Sequence, residues 1–451
     1  MAAGVLLVAA LVLILLDGAA FRPVATLLVV ALALVGLHYH RRWSGLARAG
    51  LGAFAALATL VSAVPIANVI ARNLRRVPEW DYLGFWLHAR TAVLGRSFYD
   101  PVNTRELARP FHVSSAFRQE IVDVGFWYPP PSMFLFWPLG WFDTPSSALA
   151  LWYALHLAVV AIVVVLAWKM FFAEGNAVEL IVCAALVAIG HGTYTTFYFS
   201  QTNFVALLAL LLFWRRRDTF GGGAWVPVAV LVKPFLAVVA IGPVLGRKWN
   251  AVAGMALCGT ALTLASVPAF GPGTFAQYFT RDQVNAKPDW IYDQPTNQSL
   301  LGLVLRVTDA ECGGRECVTN PIYLAGTATI GAITLLLGIG LQRVREDEWA
   351  LSLYLLFALI VYPVSQLFYS VMLLPVVLSL WRRRDDVPGG AWMLSVLIAT
   401  VYALAAVDWG ATTILGFILL WIAMAAIGVR LVLGGGRTPD TAAPREHAVH
   451  G

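Results

Sequence analysis

The sequence predicts an all-α protein that crosses a membrane many times, and three observations support this. Of the 451 residues, 59% are hydrophobic and only 12% are charged, whereas a soluble domain carries about 25% charged residues. Apolar runs near the roughly 20 residues that a membrane-crossing helix needs recur along the chain. Most basic residues cluster at the ends of these runs, as membrane orientation requires. The net charge of +6 therefore reflects orientation, and we expect no nucleic-acid partner.

The apolar runs predict about 11–13 transmembrane helices in one domain, residues 1–433. They fall at about 2–16, 24–38, 49–71, 147–172, 177–200, 203–214, 250–270, 321–341, 348–363, 366–381, 391–407 and 410–433. The first run lacks a basic flank and a strong cleavage site, so we interpret it as a retained span rather than a signal peptide. The tail, 434–451, is rich in Gly, Pro and polar residues and is predicted to be disordered and cytoplasmic.

Five basic clusters predict the orientation of the chain, because positive residues concentrate on the cytoplasmic side. These clusters are residues 38–43, Arg215–Arg217, Arg247–Lys248, Arg343–Arg345 and Arg382–Arg384. With both termini inside, the two long polar loops, 72–146 and 271–320, face the outside of the cell. Three arginines at the start of the first loop, Arg72, Arg75 and Arg76, are exceptions to the rule.

The stretch 224–245 is ambiguous in this topology. Basic clusters at both of its ends require the same side of the membrane, yet its length suits only one span. It also contains Lys233-Pro234. A broken or re-entrant segment resolves the conflict, since irregular backbone is tolerated where it lines a cavity. A full span with one misplaced basic cluster remains the alternative.

Asp81 is the candidate catalytic residue, because it lies just beyond an apolar run and begins the first outer loop. The aromatic residues around it, Trp80, Tyr82, Phe85 and Trp86, suit a membrane interface. Burial among them would raise the pKa of the carboxyl group toward the range of a general base. Residues 82–94 are predicted to form an amphipathic helix on the membrane surface. A solvated loop aspartate is the alternative interpretation.

Two basic residues are candidates for binding a phosphate. Lys233 lies in an otherwise apolar run, where an ionisable residue is costly and indicates function. The alternative is a lysine whose ammonium group reaches an interface. Arg306 follows an apolar turn in the second outer loop, and its planar guanidinium group suits a phosphate.

Polar side chains near the predicted outer ends of the spans are candidates for binding a sugar or an acceptor. Ordinary capping and turn roles are the alternative for each of them. The candidates are Tyr128, which precedes three prolines, His191, Gln201 and Asn203 near one span end, Asn297 and Gln298 in the second outer loop, and Gln366 and Tyr369 in a polar turn between two apolar runs.

No metal and no cofactor are predicted. Asp282, Asp289 and Asp293 in the second outer loop offer oxygen ligands for a divalent ion, but a solvated loop is the preferred interpretation. The chain contains no P-loop, no dinucleotide fingerprint after a strand, and no HExxH or GxSxG motif, so a nucleotide-sugar domain of the Rossmann type is not supported.

The four cysteines divide into two pairs. Cys183 and Cys258 lie in apolar runs and are interpreted as inert core residues. Cys312 and Cys317 bracket a Gly-Gly turn in the second outer loop. A small disulfide is expected there if that loop is extracytoplasmic.

In its motifs the chain resembles the GT-C glycosyltransferases, and most closely glycosyltransferase family 87. The resemblance spans about residues 75 to 380 and depends on the order and spacing of several motifs. These are Asp81 with its aromatic neighbours, Gly95 to Pro101, Tyr128-Pro-Pro130, Gln201-x-Asn203, Lys233-Pro234, Asn297-Gln-Ser-Leu300 and Pro363-x-Ser365. The resemblance implies the GT-C fold, a multi-pass plasma-membrane protein with an extracytoplasmic active site, and Asp81 as the catalytic base.

The same resemblance implies an inverting enzyme without a cofactor. It would move mannose, α-linked, from a polyprenyl-phosphate donor to a glycolipid, lipoglycan or polysaccharide acceptor, among membrane lipids. Many members of the family carry Ser-Trp-x-His-His after the Pro-x-Ser turn, where this chain has Gln366-Leu-Phe-Tyr369. A histidine-assisted role therefore does not transfer, and a polyprenyl-phosphate-arabinofuranose-dependent arabinofuranosyltransferase remains an alternative. A transporter or flippase is the non-enzyme alternative, although charged residues in mid-span and repeat symmetry would be expected for it.

Overall fold

The computed structural model describes residues 45–172, 175–280, 290–309, 312–383 and 412–434. Within these ranges the chain is helical, and the pairing of extended backbone is limited to one isolated antiparallel bridge between Asn297 and Gln366. An all-α fold is therefore confirmed. The predicted spans at 2–16, 24–38 and 391–407 lie outside the described residues, as does the predicted tail after Gly434.

The α-helices are numbered in chain order. In the first half they are α1 (Gly45–Arg75), α2 (Gly84–Val93), α3 (Pro101–Ala108), α4 (Ser115–Phe117), α5 (Met133–Phe136), α6 (Pro145–Phe171), α7 (Ala177–Ile189), α8 (His191–Phe199), α9 (Asn203–Arg215), α10 (Phe220–Gly223) and α11 (Trp225–Val232). In the second half they are α12 (Ile241–Leu245), α13 (Trp249–Phe270), α14 (Pro272–Thr280), α15 (Trp290–Asp293), α16 (Leu300–Thr308), α17 (Gly314–Val318), α18 (Pro321–Arg343), α19 (Asp347–Val361), α20 (Leu374–Arg382) and α21 (Thr412–Leu433). Short 3-10 and π-helical turns join them.

Five helices, α1, α6, α13, α18 and α21, are long and apolar enough to cross a membrane. The pair α7 and α8 is a sixth candidate, bent by 58° at the break between the two helices. The described ranges thus hold fewer full spans than the 11–13 predicted. Three predicted spans lie outside them, and the apolar runs at 203–214, 348–363 and 366–381 form helices too short to cross alone.

The stretch 224–245 is a broken segment, as the sequence predicts. Helix α11 ends at Val232, and Lys233 has an extended backbone (φ −139°, ψ 94°). The chain then continues as a 3-10 helix, Pro234–Ala240, and as α12. Pro234 lacks an N–H group and cannot continue the hydrogen-bond ladder of α11. The break places the backbone of Lys233 outside regular helix.

Most of the basic clusters predicted to share a side of the membrane gather at one end of the helices. Lys248 forms ion pairs with Asp218 and with Asp347, the latter at 2.6 Å. Arg383 pairs with Glu346 through both of its terminal nitrogens. These contacts join the end of α9, the start of α13, the start of α19 and the end of α20. The grouping agrees with the topology that the positive residues predict.

The two long loops meet at the other ends of these helices. Ser97 in the first loop forms a hydrogen bond with Gln277 in the second, and the rings of Tyr99 and Tyr278 lie 5.6 Å apart. Phe98 packs edge-on against Phe270 at the end of α13, at 5.6 Å. The two loops therefore contact each other near the end of α13.

Helix α2 is not the surface amphipathic helix that the sequence predicts. Phe85, Trp86 and most of its other side chains are buried. A second apolar segment, the 3-10 helix Trp137–Trp141, packs directly over it. A Cβ atom added at Gly140 would come within 2.3 Å of the carbonyl oxygen of Ala89, so only glycine allows this approach. The prediction was wrong because the apolar side of α2 is covered by protein.

Cys312 and Cys317 form a disulfide, as expected. Cys317 is buried in a small second core with Tyr292, Leu305 and Tyr323. The bridge therefore lies within the second loop and links Cys312, just before α17, to Cys317 in that helix.

Removing this disulfide is expected to lower stability without abolishing activity. Closing so short a loop stabilises the folded state by about 2 kcal/mol. The double variant Cys312→Ser/Cys317→Ser should therefore unfold a few degrees below the wild type in a thermal scan. Cys258→Ser, which removes a cysteine outside the bridge, is the matched control. An unchanged unfolding temperature in the double variant would contradict the expectation.

Candidate active site

Asp81 lies in a π-helical turn, Glu79–Leu83, between α1 and α2. Single π-turns of this kind are frequent at functional sites. The next residue fixes the turn, because the hydroxyl group of Tyr82 donates to the carbonyl of Pro145 at 2.6 Å. Protein surrounds the Asp81 carboxyl group, yet the residue keeps partial access to water. Asp81 therefore lies in a recess rather than on an open loop.

Gln201 links Asp81 to Lys233. Its side chain lies close enough to Asp81 to influence the carboxyl group, and its Oε1 accepts from Lys233 Nζ at 3.0 Å. Lys233 is only 2% exposed, and its ammonium group lies 4.6 Å from the centre of the Tyr369 ring. Four candidates from separate segments thus lie together. They are Asp81 in the first loop, Gln201 in the turn between α8 and α9, Lys233 at the break after α11 and Tyr369 in the turn before α20.

Tyr128 forms another wall of the recess. Its ring packs edge-on against Phe85 at 6.0 Å, and its hydroxyl group faces Thr202. Burial raises the pKa of Tyr128 well above its usual range, and the negative charge of Asp81 raises it further. The phenol therefore stays protonated and available as a hydrogen-bond donor.

The electrostatics of Asp81 result from opposing effects. Burial raises the pKa of its carboxyl group, while the neighbouring Gln201 side chain and the positive charge of Lys233 lower it. Burial dominates, so the pKa of Asp81 is raised above its ordinary value. A carboxylate with a raised pKa is a better proton acceptor than an exposed aspartate.

The turn that carries Tyr369 is held by the second long loop. Asn297 Nδ2 donates to the carbonyls of Tyr292 (2.7 Å) and Pro363 (2.9 Å), and Ser299 Oγ donates to the same Pro363 carbonyl at 3.0 Å. Gln366 pairs with Asn297 through the isolated bridge. The two sequence motifs around Asn297 and Pro363 are therefore one structural unit.

The sequence model of glycosyltransferase family 87 matches residues 126–365, more than half of the chain. The chain belongs to glycosyltransferase family 87. It is therefore an enzyme, a membrane glycosyltransferase, and this replaces the transporter alternative. The matched range includes Tyr128, Gln201 and Lys233, whereas Asp81 and Tyr369 lie outside it. No curated protein and no solved structure matches the chain significantly.

Arg306 in this glycosyltransferase holds the second loop. Its Nη1 donates to the carbonyls of Asp293 (3.3 Å), Gln294 (3.0 Å) and Asn297 (3.0 Å). These contacts anchor the segment that pairs with Gln366. The structure thus shows Arg306 holding the loop through Nη1, and its phosphate-binding role stays a prediction.

Several other candidates also serve the framework of the family 87 enzyme. Gln298 donates to the carbonyl of Pro295, and the Oε1 of Gln366 accepts from Thr296 at 2.9 Å. Asn203 is fully buried and donates to Thr196 Oγ1 at 2.9 Å. These contacts position loops and helix ends.

His191 begins α8, and Gln201 follows the other end of that helix. The imidazole ring of His191 lies 6.1 Å from the ring of Tyr194, and His191 lines a small cavity together with Ser370.

Of the eight residues predicted to bind sugar or acceptor, Tyr128, Gln201 and Tyr369 lie around Asp81.

Sequence reasoning missed several residues around the recess. Tyr362 lies near both Tyr128 and Tyr369, and Thr202 faces Tyr128. His156 contacts the backbone of Gln201 from α6. A single histidine inside the apolar run 147–172 was a signal for this contact, since polar side chains within spans are rare. The positions of Tyr362 and Thr202 near the recess follow only from the packing of distant segments.

In the part of the chain that the structure describes, few possible ligands for a metal ion lie together. No group of three His, Cys, Asp or Glu side chains there could hold an ion. Asp282 and Asp289 lie outside the described residues.

Proposed function

We propose that this enzyme is an inverting glycosyltransferase that moves mannose from a polyprenyl-phosphate donor to form an α-linkage. The acceptor is a glycolipid, lipoglycan or polysaccharide on the extracytoplasmic face of the plasma membrane. One observation carries the proposal: a recessed carboxylate, Asp81, lies beside a buried cation, Lys233.

In the proposed reaction, Asp81 acts as general base. Its carboxylate takes the proton of the acceptor hydroxyl while that oxygen attacks the anomeric carbon from the side opposite the phosphate. The bond between the anomeric carbon and the phosphate oxygen breaks, and polyprenyl phosphate leaves with the electron pair. Attack from the opposite side inverts the anomeric centre, so a β-phosphoryl donor gives an α-mannoside.

Lys233 is proposed to stabilise the charge of the leaving phosphate. An ammonium group has three N–H donors, and Gln201 takes one of them. A buried cation acts in a medium of low dielectric constant, where its attraction for a developing charge is large. A phosphate leaves without protonation by an acid, so one carboxylate suffices, in contrast to the carboxylate pair of a glycosidase.

The extracytoplasmic location rests on charge asymmetry. Ion pairs join several basic clusters at one end of the helices, and Asp81 lies with the loops at the other. Positive residues favour the cytoplasmic side. Location of the site outside the cell follows if this enzyme obeys that rule.

An arabinofuranosyltransferase of the same architecture is the second candidate. The observation that favours it is Tyr369, which lies beside Lys233 in a turn where many family members carry histidines. A different side chain at this wall alters the shape of the sugar pocket. The base and the phosphate site would be the same for both donors.

A donor comparison tests the proposal. The purified protein in lipid vesicles is offered polyprenyl-phosphate mannose, polyprenyl-phosphate arabinofuranose and GDP-mannose, each radiolabelled, with membrane glycolipid as acceptor. We expect transfer from polyprenyl-phosphate mannose, and a product sensitive to α-mannosidase. Transfer from polyprenyl-phosphate arabinofuranose alone would favour the arabinofuranosyltransferase. Transfer from the nucleotide sugar alone would overturn the lipid-linked donor.

A further inference from the structure

We propose that the aromatic rings of Phe368 and Tyr369 are positioning groups that hold the ammonium group of Lys233 in place and in its charged form. The sequence predicts no role for Phe368 and a sugar-binding role for Tyr369. The inference rests on the proposed function in one respect, namely that Lys233 stabilises the leaving phosphate. Its evidence is the set of contacts around one buried cation.

Lys233 carries a buried charge without a direct ion pair. The residue is 2% exposed, and no carboxylate within the described ranges forms an ion pair with its Nζ. Asp81 attracts Lys233 from a greater distance. Gln201 Oε1 accepts a hydrogen bond from Nζ, at 3.0 Å. An ammonium group has three N–H donors, and a buried charge is costly unless its neighbours compensate it. One amide oxygen leaves most of that cost to other groups.

Two aromatic rings lie next to the same ammonium group. Nζ lies over the Tyr369 ring, 4.6 Å from its centre, and over the Phe368 ring, 5.6 Å from its centre. Both distances are within the roughly 6 Å of a cation–π contact, in which the negative face of the ring attracts the cation. The two rings meet at 78°, with their centres 5.0 Å apart. Lys233 therefore lies in a corner between two ring faces.

Packing from two other segments fixes these rings. Both rings belong to the 3-10 helix Leu367–Leu373. Phe368 packs against Phe199, the last residue of α8, with ring centres 5.9 Å apart. Tyr369 packs against Phe235, which follows the break after α11, at 5.0 Å. The corner is therefore built by the protein before a substrate binds.

The rings act on the phosphate through Lys233. The face of an aromatic ring is negative, so it attracts a cation and repels an anion. Neither ring face is therefore a ligand for the phosphate itself. An ammonium group that is already charged and in place gives preorganised stabilisation to the leaving group. The hydroxyl group of Tyr369 stays available to a sugar, since the inference concerns the ring alone.

Fluorination of the Phe368 ring separates a cation–π contact from packing. Phenylalanine with one, two or three fluorine atoms, introduced at position 368, keeps nearly the same ring size while the negative charge of the ring face decreases stepwise. We expect kcat to fall stepwise, to about 5- to 30-fold below the wild type for the trifluorinated ring, as for loss of a desolvated cation–π contact. KM for the acceptor should stay within about twofold.

The matched control is the same fluorinated series at Phe270. The ring of Phe270 packs against Phe98, Phe134 and Trp137, and its fluorination should leave kcat unchanged. Equal kcat across the series at position 368 would show that Phe368 serves packing alone and would overturn the inference.

Two variants of Tyr369 separate its ring from its hydroxyl group. Tyr369→Phe keeps the ring over Lys233, so we expect kcat to stay within about threefold of the wild type. Tyr369→Leu removes the ring and should lower kcat by about 10-fold or more. An equal loss in the two variants would assign the contribution to the hydroxyl group and contradict a role for the ring.

A chemical test of the same contacts needs no sugar donor. Acetic anhydride acylates the neutral form of a lysine amine, and mass spectrometry measures the modification of Lys233 in the purified full-length protein. At a fixed pH we expect faster modification with trifluorinated Phe368 than in the wild type or with trifluorinated Phe270. Identical rates in the three proteins would overturn the inference. Faster modification, together with no transfer by the wild type from any donor, would support the ring contact and contradict the proposed function.

Discussion

Replacing Asp81 with asparagine is expected to reduce sugar transfer by roughly 10²- to 10⁴-fold, the usual contribution of a general base. The amide has nearly the size of the carboxylate but cannot accept the acceptor proton at neutral pH. The measurement is initial transfer from polyprenyl-phosphate mannose at saturating acceptor, normalised to the amount of protein in the membrane. Asp143→Asn is the matched control, because Asp143 is an exposed aspartate of the same loop that pairs with Arg90 on the surface. Wild-type activity in Asp81→Asn would contradict the assignment.

A second variant separates catalysis from folding. Asp81→Asn leaves Lys233 buried without its nearby opposite charge, and an uncompensated buried charge is destabilising. The double variant Asp81→Asn/Lys233→Met removes both charges. We expect it to recover thermal stability relative to the single variant and to remain inactive. Recovery of transfer together with stability would show that Asp81 has a structural role only.

Replacing Lys233 with methionine is expected to lower kcat by roughly 10²- to 10³-fold, similar to the loss of one preorganised charge stabiliser. Methionine has a comparable length and fits a buried, mainly apolar surrounding. The reason for the loss is that the phosphate then leaves without a compensating cation beside Tyr369. Inhibition by free polyprenyl phosphate should weaken in parallel, because the product carries the same phosphate group.

Two further variants define the role of Lys233. Lys233→Arg should restore little activity, since a planar guanidinium group does not fit a site built around a compact ammonium. Lys169→Met changes an exposed lysine at the end of α6 and should leave transfer unchanged. Normal kcat and normal product inhibition in Lys233→Met would contradict a phosphate role and leave Lys233 as a counter-charge for Asp81.

Local chemistry made part of this fold predictable. Five long apolar runs became five long helices, because hydrophobic length is a property of the local sequence. The break at Lys233-Pro234 followed from the missing N–H of proline. The bridge between Cys312 and Cys317 followed from two cysteines close together in one polar loop. The surface position predicted for residues 82–94 was wrong, because the segment that covers this helix, Trp137–Trp141, comes some 50 residues later in the chain.

Composition and motifs along the chain were enough to predict the class of protein, the candidate residues and the resemblance to a family. The folded structure was needed to show which candidates lie together. It brought Asp81, Gln201 and Lys233 together, and it placed Asn297 and Arg306 in the support of a turn. The physical reason is that a side chain's partners are set by packing between distant helices. A polar residue alone in a sequence does not show whether its hydrogen bonds go to a substrate or to the protein.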